Sequence, residues 1–195
     1  LKRCLIGGTF DRFHAGHRSL IEVALDAAEL VEVWITNDAM AAAKSPFLQS
    51  FEDRREAILQ LGEERISTHE LEDAMGPAPN RKDCDGIICT PETLHNCQTI
   101  NELRLANGLL PLEIIEAPHV QDASGGIISS TRIRAGIIDR DGNSWLPSNQ
   151  RVQTHHFHHG LDSELKKPNG TLFQGPEDSP EVAMLAAMEE IAPAA

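Results

Sequence analysis

A chain of 195 residues that is 41% apolar and 24% charged has room for one full core and part of a second, and this composition excludes a disordered segment or a collagen-like fibre. No apolar run reaches the roughly 18 residues of a transmembrane helix. Thirty acidic against 17 basic residues give a net charge of −13. That excludes a general binder of nucleic acid or anionic membrane, so any anionic ligand must meet a local concentration of cations.

Residues 2–7 form a short apolar run closed by Gly7 and Gly8, and residues 18–30 repeat apolar positions at helical spacing through Leu20, Val23, Ala24, Ala27 and Leu30. Residues 31–36 alternate as a strand does, and residues 51–61 predict a helix ended by Gly62. A third strand is expected over 66–71, followed by a Gly/Pro/Asn-rich loop over 76–80. Residues 86–90 (GIICT) have the character of a buried strand, and a helical stretch runs from there to Ala106 with Gly108 beyond its end. A further strand is expected over 112–116, and residues 129–134 open with the Ser and Thr of a helix start. Strands alternating with helices imply an α/β domain, a Rossmann-like open parallel sheet with helices on both faces, whose ligands bind beyond the carboxyl ends of the strands.

From Asp139 the composition turns to Asp, Gly, Asn, Ser, Pro and Gln, so the expected division is a domain over 1–148 and a linker with an incomplete segment over 149–195. That segment carries His155, His156, His158 and His159, a KKPNG turn and one helix candidate over 180–191. The histidine spacing lacks the separated ligand pairs of a structural zinc site, and no metal ligand is assigned. Cys4, Cys84, Cys89 and Cys97 lie 80, 5 and 8 residues apart, which fits neither a CxxC motif nor a disulfide framework. Buried thiols in a reducing, cytoplasmic compartment are expected; the oligomeric state is left open.

The chemistry concentrates in residues 7–17, GGTFDRFHAGH, between a predicted strand and a predicted helix. Glycines there let backbone amides approach an anion, and a helix start favours negative charge. His14 and His17 lie three residues apart, so in a helical turn their rings share a side, with Gly16 leaving room for a phosphate. Ser129, Ser130 and Thr131 offer hydroxyls and amides at a second helix start, with Arg132 or Arg134 adding charge. An ordinary helix cap is the structural alternative there. Arg54 and Arg55 open a helix at the end unfavourable to cations, with Glu52 and Asp53 as expected partners, and are left out of the site.

His14-Ala15-Gly16-His17 after Gly8-Thr9-Phe10-Asp11 resembles the HxGH signature of the nucleotidyltransferase superfamily, and residues 128–134 (ISSTRIR) resemble its second signature, ISSTxIR. The two stand more than 110 residues apart. The stretches around residues 91–93, 100–104, 108, 111–114 and 136–139 are further similar to the phosphopantetheine adenylyltransferases of the archaeal and eukaryotic type, with Ile137 where that family carries an acid. The resemblance covers residues 4 to about 142. It implies AMP transfer from ATP to 4'-phosphopantetheine, with Mg2+ entering as the counter-ion of ATP. It further implies His17 on the α-phosphate, His14 on the nucleotide phosphates and Thr9 on the incoming phosphate, with Lys44 contacting nucleophile and α-phosphate. Gly8, Phe10, Gly16, Thr90 and Glu92, together with Ser129, Ser130, Thr131, Arg132 and Arg134, complete the implied nucleotide site. For Thr90 and Glu92 a helix cap is the alternative. Transfer to another small phosphate, such as nicotinamide mononucleotide, and an idle nucleotide-binding module are the rival functions. Residues 165–172 are similar to the opening of GTP-dependent dephospho-coenzyme A kinases, which makes a covalent fusion to such a kinase the expectation for the tail.

Overall fold

A computed structural model describes residues 1–45 and 47–144 of the chain. They fall into two compact units, Leu1–Val120 and a second that begins at Gln121. In the first unit, β1 (Arg3–Gly8), α1 (Ala15–Ala27), β2 (Leu30–Thr36), α2 (Asp38–Ala42), α3 (Phe51–Leu59), β3 (Ile66–Leu71), β4 (Gly86–Cys89), α4 (Leu94–Ala106) and β5 (Glu113–Glu116) follow in order. The second contributes α5 (Ser130–Arg134). The five strands form one parallel sheet in the order β3-β2-β1-β4-β5, with Ile6 level with Val33 on one side and Ile88 on the other. The order reverses direction between β1 and β4, which opens a crevice at their carboxyl ends.

Side-chain alternation sorts the sheet into two cores. Cys4 and Ile6 of β1, Val31, Val33 and Ile35 of β2 and Ile88 of β4 face α1 (Ile21, Ala24) and α3 (Ile58). Leu5, Ile87 and Cys89 face the opposite way, onto Cys97 and Ile100 of α4. The sheet is therefore covered by helices on both faces, as its pattern predicts. All four cysteines are free and buried.

Three local differences from the sequence expectation have local causes. Helix α1 begins at Ala15 because His14 is its cap, and it ends at Ala27 because Ala28 is extended; Leu30 opens β2, is exposed, and is no part of the helix face. The short α2 has no apolar repeat to announce it and rests on its cap, the Asn37 side chain accepting from the Met40 N–H. Glu32 interrupts β2 on the face away from α1 and is nonetheless buried, because Arg3 and Arg81 close over its carboxylate. The expected boundary near residue 148 and the whole tail, with its histidines and kinase-like stretch, lie outside the described residues. No helix among the described residues is long and apolar enough to cross a membrane.

Candidate active site

The loop from β1 to α1 is shaped around two aromatic contacts. Phe10 and Arg12 adopt positive φ (57° and 48°), a region costly for residues with a Cβ. This turn folds the buried Phe10 ring back over Gly8, where an added Cβ would stand 2.9 Å from the ring. The absent side chain of Gly8 thus makes room for Phe10. Phe10 in turn lies 5.1 Å from the His17 ring, with Phe13 at 5.7 Å, and the His14 and His17 rings stack at 3.8 Å. The two histidines do share a side, as their spacing predicts.

Their protonation follows from this packing. The His14 Nδ1 accepts from the Gly16 N–H at 3.1 Å, which leaves the proton of the neutral ring on Nε2. Burial, and secondarily the neighbouring His14, hold the His17 pKa well below the usual imidazole value. The His17 Nδ1 is buried with no hydrogen-bond partner among the described residues. His17 is therefore neutral at physiological pH.

Polar contacts tie this loop to its neighbours. Lys44, two residues beyond α2, donates from Nζ to the Thr9 Oγ1 at 2.8 Å, joining the two residues that the family resemblance places at the incoming phosphate. Gln49 clamps the turn: its N–H donates to the Asp11 carboxylate at 2.9 Å and its Oε1 accepts from the Arg12 N–H at 2.7 Å. Arg54, in the first turn of α3, is completely buried beneath the loop. The sequence suggests Glu52 and Asp53 as its partners; instead its Nη2 meets Asp38 at 2.8 Å, and its remaining donors reach backbone carbonyls. Only Arg55 pairs as expected, with Glu52 at 3.2 Å.

At the end of β4, Thr90 Oγ1 approaches Glu92 at 3.4 Å, and Glu92 also faces His119 at 3.4 Å. The cap position of α4 is Thr93, so neither Thr90 nor Glu92 is spent as that cap. His119 was missed in the sequence, because an isolated histidine between Pro118 and Val120 has no spacing to announce it.

The second unit holds the other motif. Ser129 caps α5, its hydroxyl accepting from the Arg132 N–H at 3.4 Å, and Ser130 and Thr131 form the first turn. The two arginines differ. Arg134 reaches Thr131 Oγ1 at 3.3 Å, whereas Arg132 turns back onto the Asp122 carboxylate (2.5 Å) and the Ile127 carbonyl (2.8 Å), passing over Gly126 where a Cβ would collide with its guanidinium. Asp122 also accepts from Ser124 and from the Gly126 N–H, and these contacts hold its carboxyl far below the usual range. The charge of Arg132 is thereby matched inside the protein, a pairing that sequence reasoning missed because Asp122 lies ten residues upstream.

Residues 5–136 match the cytidylyltransferase-like family model. The chain belongs to the cytidylyltransferase-like family. Within this nucleotidyltransferase family it is a homologue of archaeal proteins named phosphopantetheine adenylyltransferase. It is 38% identical to the one from Methanosarcina barkeri over 150 residues, 73% of this chain and 92% of that protein. It is 35% identical to the one from Methanopyrus kandleri over 142 residues, 70% of this chain and 90% of that protein. A bifunctional phosphopantetheine adenylyltransferase/NTP phosphatase from Thermoplasma acidophilum is 32% identical over 77% of this chain, which spans 47% of that longer protein. Among solved structures, a protein of unknown function from Archaeoglobus fulgidus shares the fold at 26% identity and a TM-score of 0.54, over 60% of this chain and 89% of that one. The cytidylyltransferase-like match spans both signature motifs. Among the described residues, no three His, Cys, Asp or Glu side chains gather as a metal-holding group.

Proposed function

We propose that this nucleotidyltransferase moves AMP from ATP to 4'-phosphopantetheine, releasing pyrophosphate and dephospho-coenzyme A. The observation that carries the reading is the contact between Lys44 and Thr9 beside the stacked His14 and His17, in a chain whose archaeal relatives bear that activity in their names. A phosphate oxygen of the acceptor attacks the α-phosphorus of ATP in line. The new O–P bond forms as the bond to the pyrophosphate oxygen breaks, and pyrophosphate leaves. The attacking phosphate, with a second pKa near about 6, is already ionised, so no general base is required. Magnesium rarely has an all-protein cage, and as the counter-ion of ATP it would be held mainly by the triphosphate and water, neutralising phosphate charge.

The protein's part is then alignment and stabilisation of charge. His17, held neutral by burial, and His14 donate to phosphate oxygens, His17 to those on the α-phosphorus. Lys44 and the Thr9 hydroxyl bind the acceptor phosphate. Gly8, Phe10 and Gly16 shape the phosphate-facing backbone, and Thr90 and Glu92 bind the adenosine. Ser129, Ser130, Thr131 and Arg134 receive the terminal phosphates; Arg132, paired with Asp122, holds the loop that carries them. A nucleotidyl domain over about 1–148 fused to a second enzyme suits the tail, and the bifunctional Thermoplasma relative offers a precedent for fusion.

The test is pyrophosphate release from Mg2+-ATP with 4'-phosphopantetheine or nicotinamide mononucleotide as acceptor. Release only with phosphopantetheine is expected. Release only with the mononucleotide would reassign the acceptor, and ATP binding without turnover of either would leave a nucleotide-binding module.

A further inference from the structure

Among the described residues Arg54 is the largest side chain that is completely buried, and each nitrogen of its guanidinium donates. Nε donates to the carbonyls of Gln49 (2.9 Å) and Ser50 (3.2 Å). Nη1 donates to the carbonyls of Thr9 (2.9 Å) and Thr36 (2.8 Å) and to the Thr36 hydroxyl (3.2 Å). Nη2 meets Asp38, whose side chain is 63% exposed. One planar fork thus joins the ends of β1 and β2, the start of α2 and the start of α3. A cation at a helix N-terminus is disfavoured by the helix dipole, so helix formation alone gives no reason for an arginine here.

The contact with Thr9 has a consequence for the loop. A trans peptide holds its C=O and N–H in opposite directions, so drawing the Thr9 carbonyl down onto Arg54 turns the Phe10 N–H away from the guanidinium. Phe10 is one of the two strained positions of the loop, and such strain persists only where surrounding contacts over-determine it. Resting on the nucleotidyltransferase reading above, we propose that Arg54 is a positioning residue: its contact with the Thr9 carbonyl fixes the Thr9–Phe10 peptide so that the Phe10 N–H and the Thr9 hydroxyl serve as phosphate donors. Lysine cannot replace it, because one ammonium with three donors cannot span the acceptors that the fork reaches.

The experiment uses the full chain and inorganic pyrophosphate with Mg2+ as probe, so that it does not depend on the acceptor. Pyrophosphate affinity is measured by calorimetry, and the Phe10 amide is followed in 15N spectra, for the wild type, Arg54→Lys, Asp38→Asn and Arg104→Lys. Arg104 is the control, a second buried arginine held by carbonyls away from this loop. A folded Arg54→Lys with at least tenfold weaker binding and an unresponsive Phe10 amide is expected, while Arg104→Lys binds as the wild type. Unchanged affinity in a folded Arg54→Lys would overturn the proposal, as would absence of pyrophosphate binding by the wild type at millimolar concentration. If Arg54→Lys does not fold, the exposed Asp38→Asn decides: at least threefold weaker binding at unchanged thermal midpoint supports the proposal, and unchanged binding overturns it. Failure of the wild type to use 4'-phosphopantetheine would defeat the acceptor assignment alone.

Discussion

Arg54 and Arg104 are both buried, and both spend their donors chiefly on backbone carbonyls, yet they stand at opposite ends of the sheet. Arg54 lies at the carboxyl ends of β1 and β2, beneath the histidine loop. Arg104, on α4, ties the Ala78, Arg81 and Leu110 carbonyls at 2.6, 2.7 and 2.8 Å, in the chain that leads into the amino ends of β4 and β5. The same device, a planar fork that satisfies several carbonyls, therefore braces loops at both ends. In a parallel sheet only the carboxyl end forms the ligand crevice. Contacts of equal quality should accordingly differ in what their loss costs: function at one end, stability at the other.

The largest effect expected is at the carboxyl end. His17→Ala should lower pyrophosphate release by about 100- to 1000-fold, the usual cost of removing one donor to a charged transition state, with the fold intact by circular dichroism. A loss below tenfold would move the chemistry away from the histidine pair. At the other end, Arg104→Leu should cost about 3 kcal/mol in denaturant unfolding by stranding buried carbonyls, while turnover per folded molecule stays within about twofold. A fall in turnover without a fall in stability would erase the contrast.

Gly8→Ala tests where the two costs meet. Its Cβ would lie 2.9 Å from the Phe10 ring, so a loss of about 1–3 kcal/mol is expected from overpacking, together with weaker nucleotide binding as the ring is displaced beneath His17. The smallest effect is a pH slope. His17 is held below its ordinary value of 6.5, so the unfolded chain binds its proton first as the pH falls. The stability due to neutral His17 is complete above about pH 6.5 and declines below it towards the lowered folded value. Thermal midpoints of the ligand-free wild type should drop more steeply from pH 7 to pH 5 than those of His17→Asn. Parallel curves would mean that the ring is not held neutral by its surroundings.

Much of this arrangement is legible in the chain before folding. The alternation of β2 and the apolar spacing of α1 follow from periods of two and 3.6 residues, and the i, i+3 spacing of His14 and His17 already stacks them. Gly8 is legible as special, and the structure adds a reason that spacing could not supply: the Phe10 ring stands where a Cβ would lie. The cation at the start of α3 was visible as an anomaly. Its partners were not, because the acidic neighbours Glu52 and Asp53 are close in sequence while the carbonyls of Thr9 and Thr36 are 45 and 18 residues away.

The sequence by itself determined the five strands, every helix but the short α2, the parallel α/β class and the two motifs, since hydrophobic period, caps and glycine placement act over a few residues. Only the tertiary structure decided that Lys44 meets Thr9, that Arg54 reaches the Thr9 and Thr36 carbonyls and Asp38 rather than Glu52 or Asp53, and that Arg132 is spent on Asp122. Those pairings depend on which loops the strand order and each local turn bring within hydrogen-bond reach, and a charged side chain carries no mark in the sequence of the partner that folding will give it.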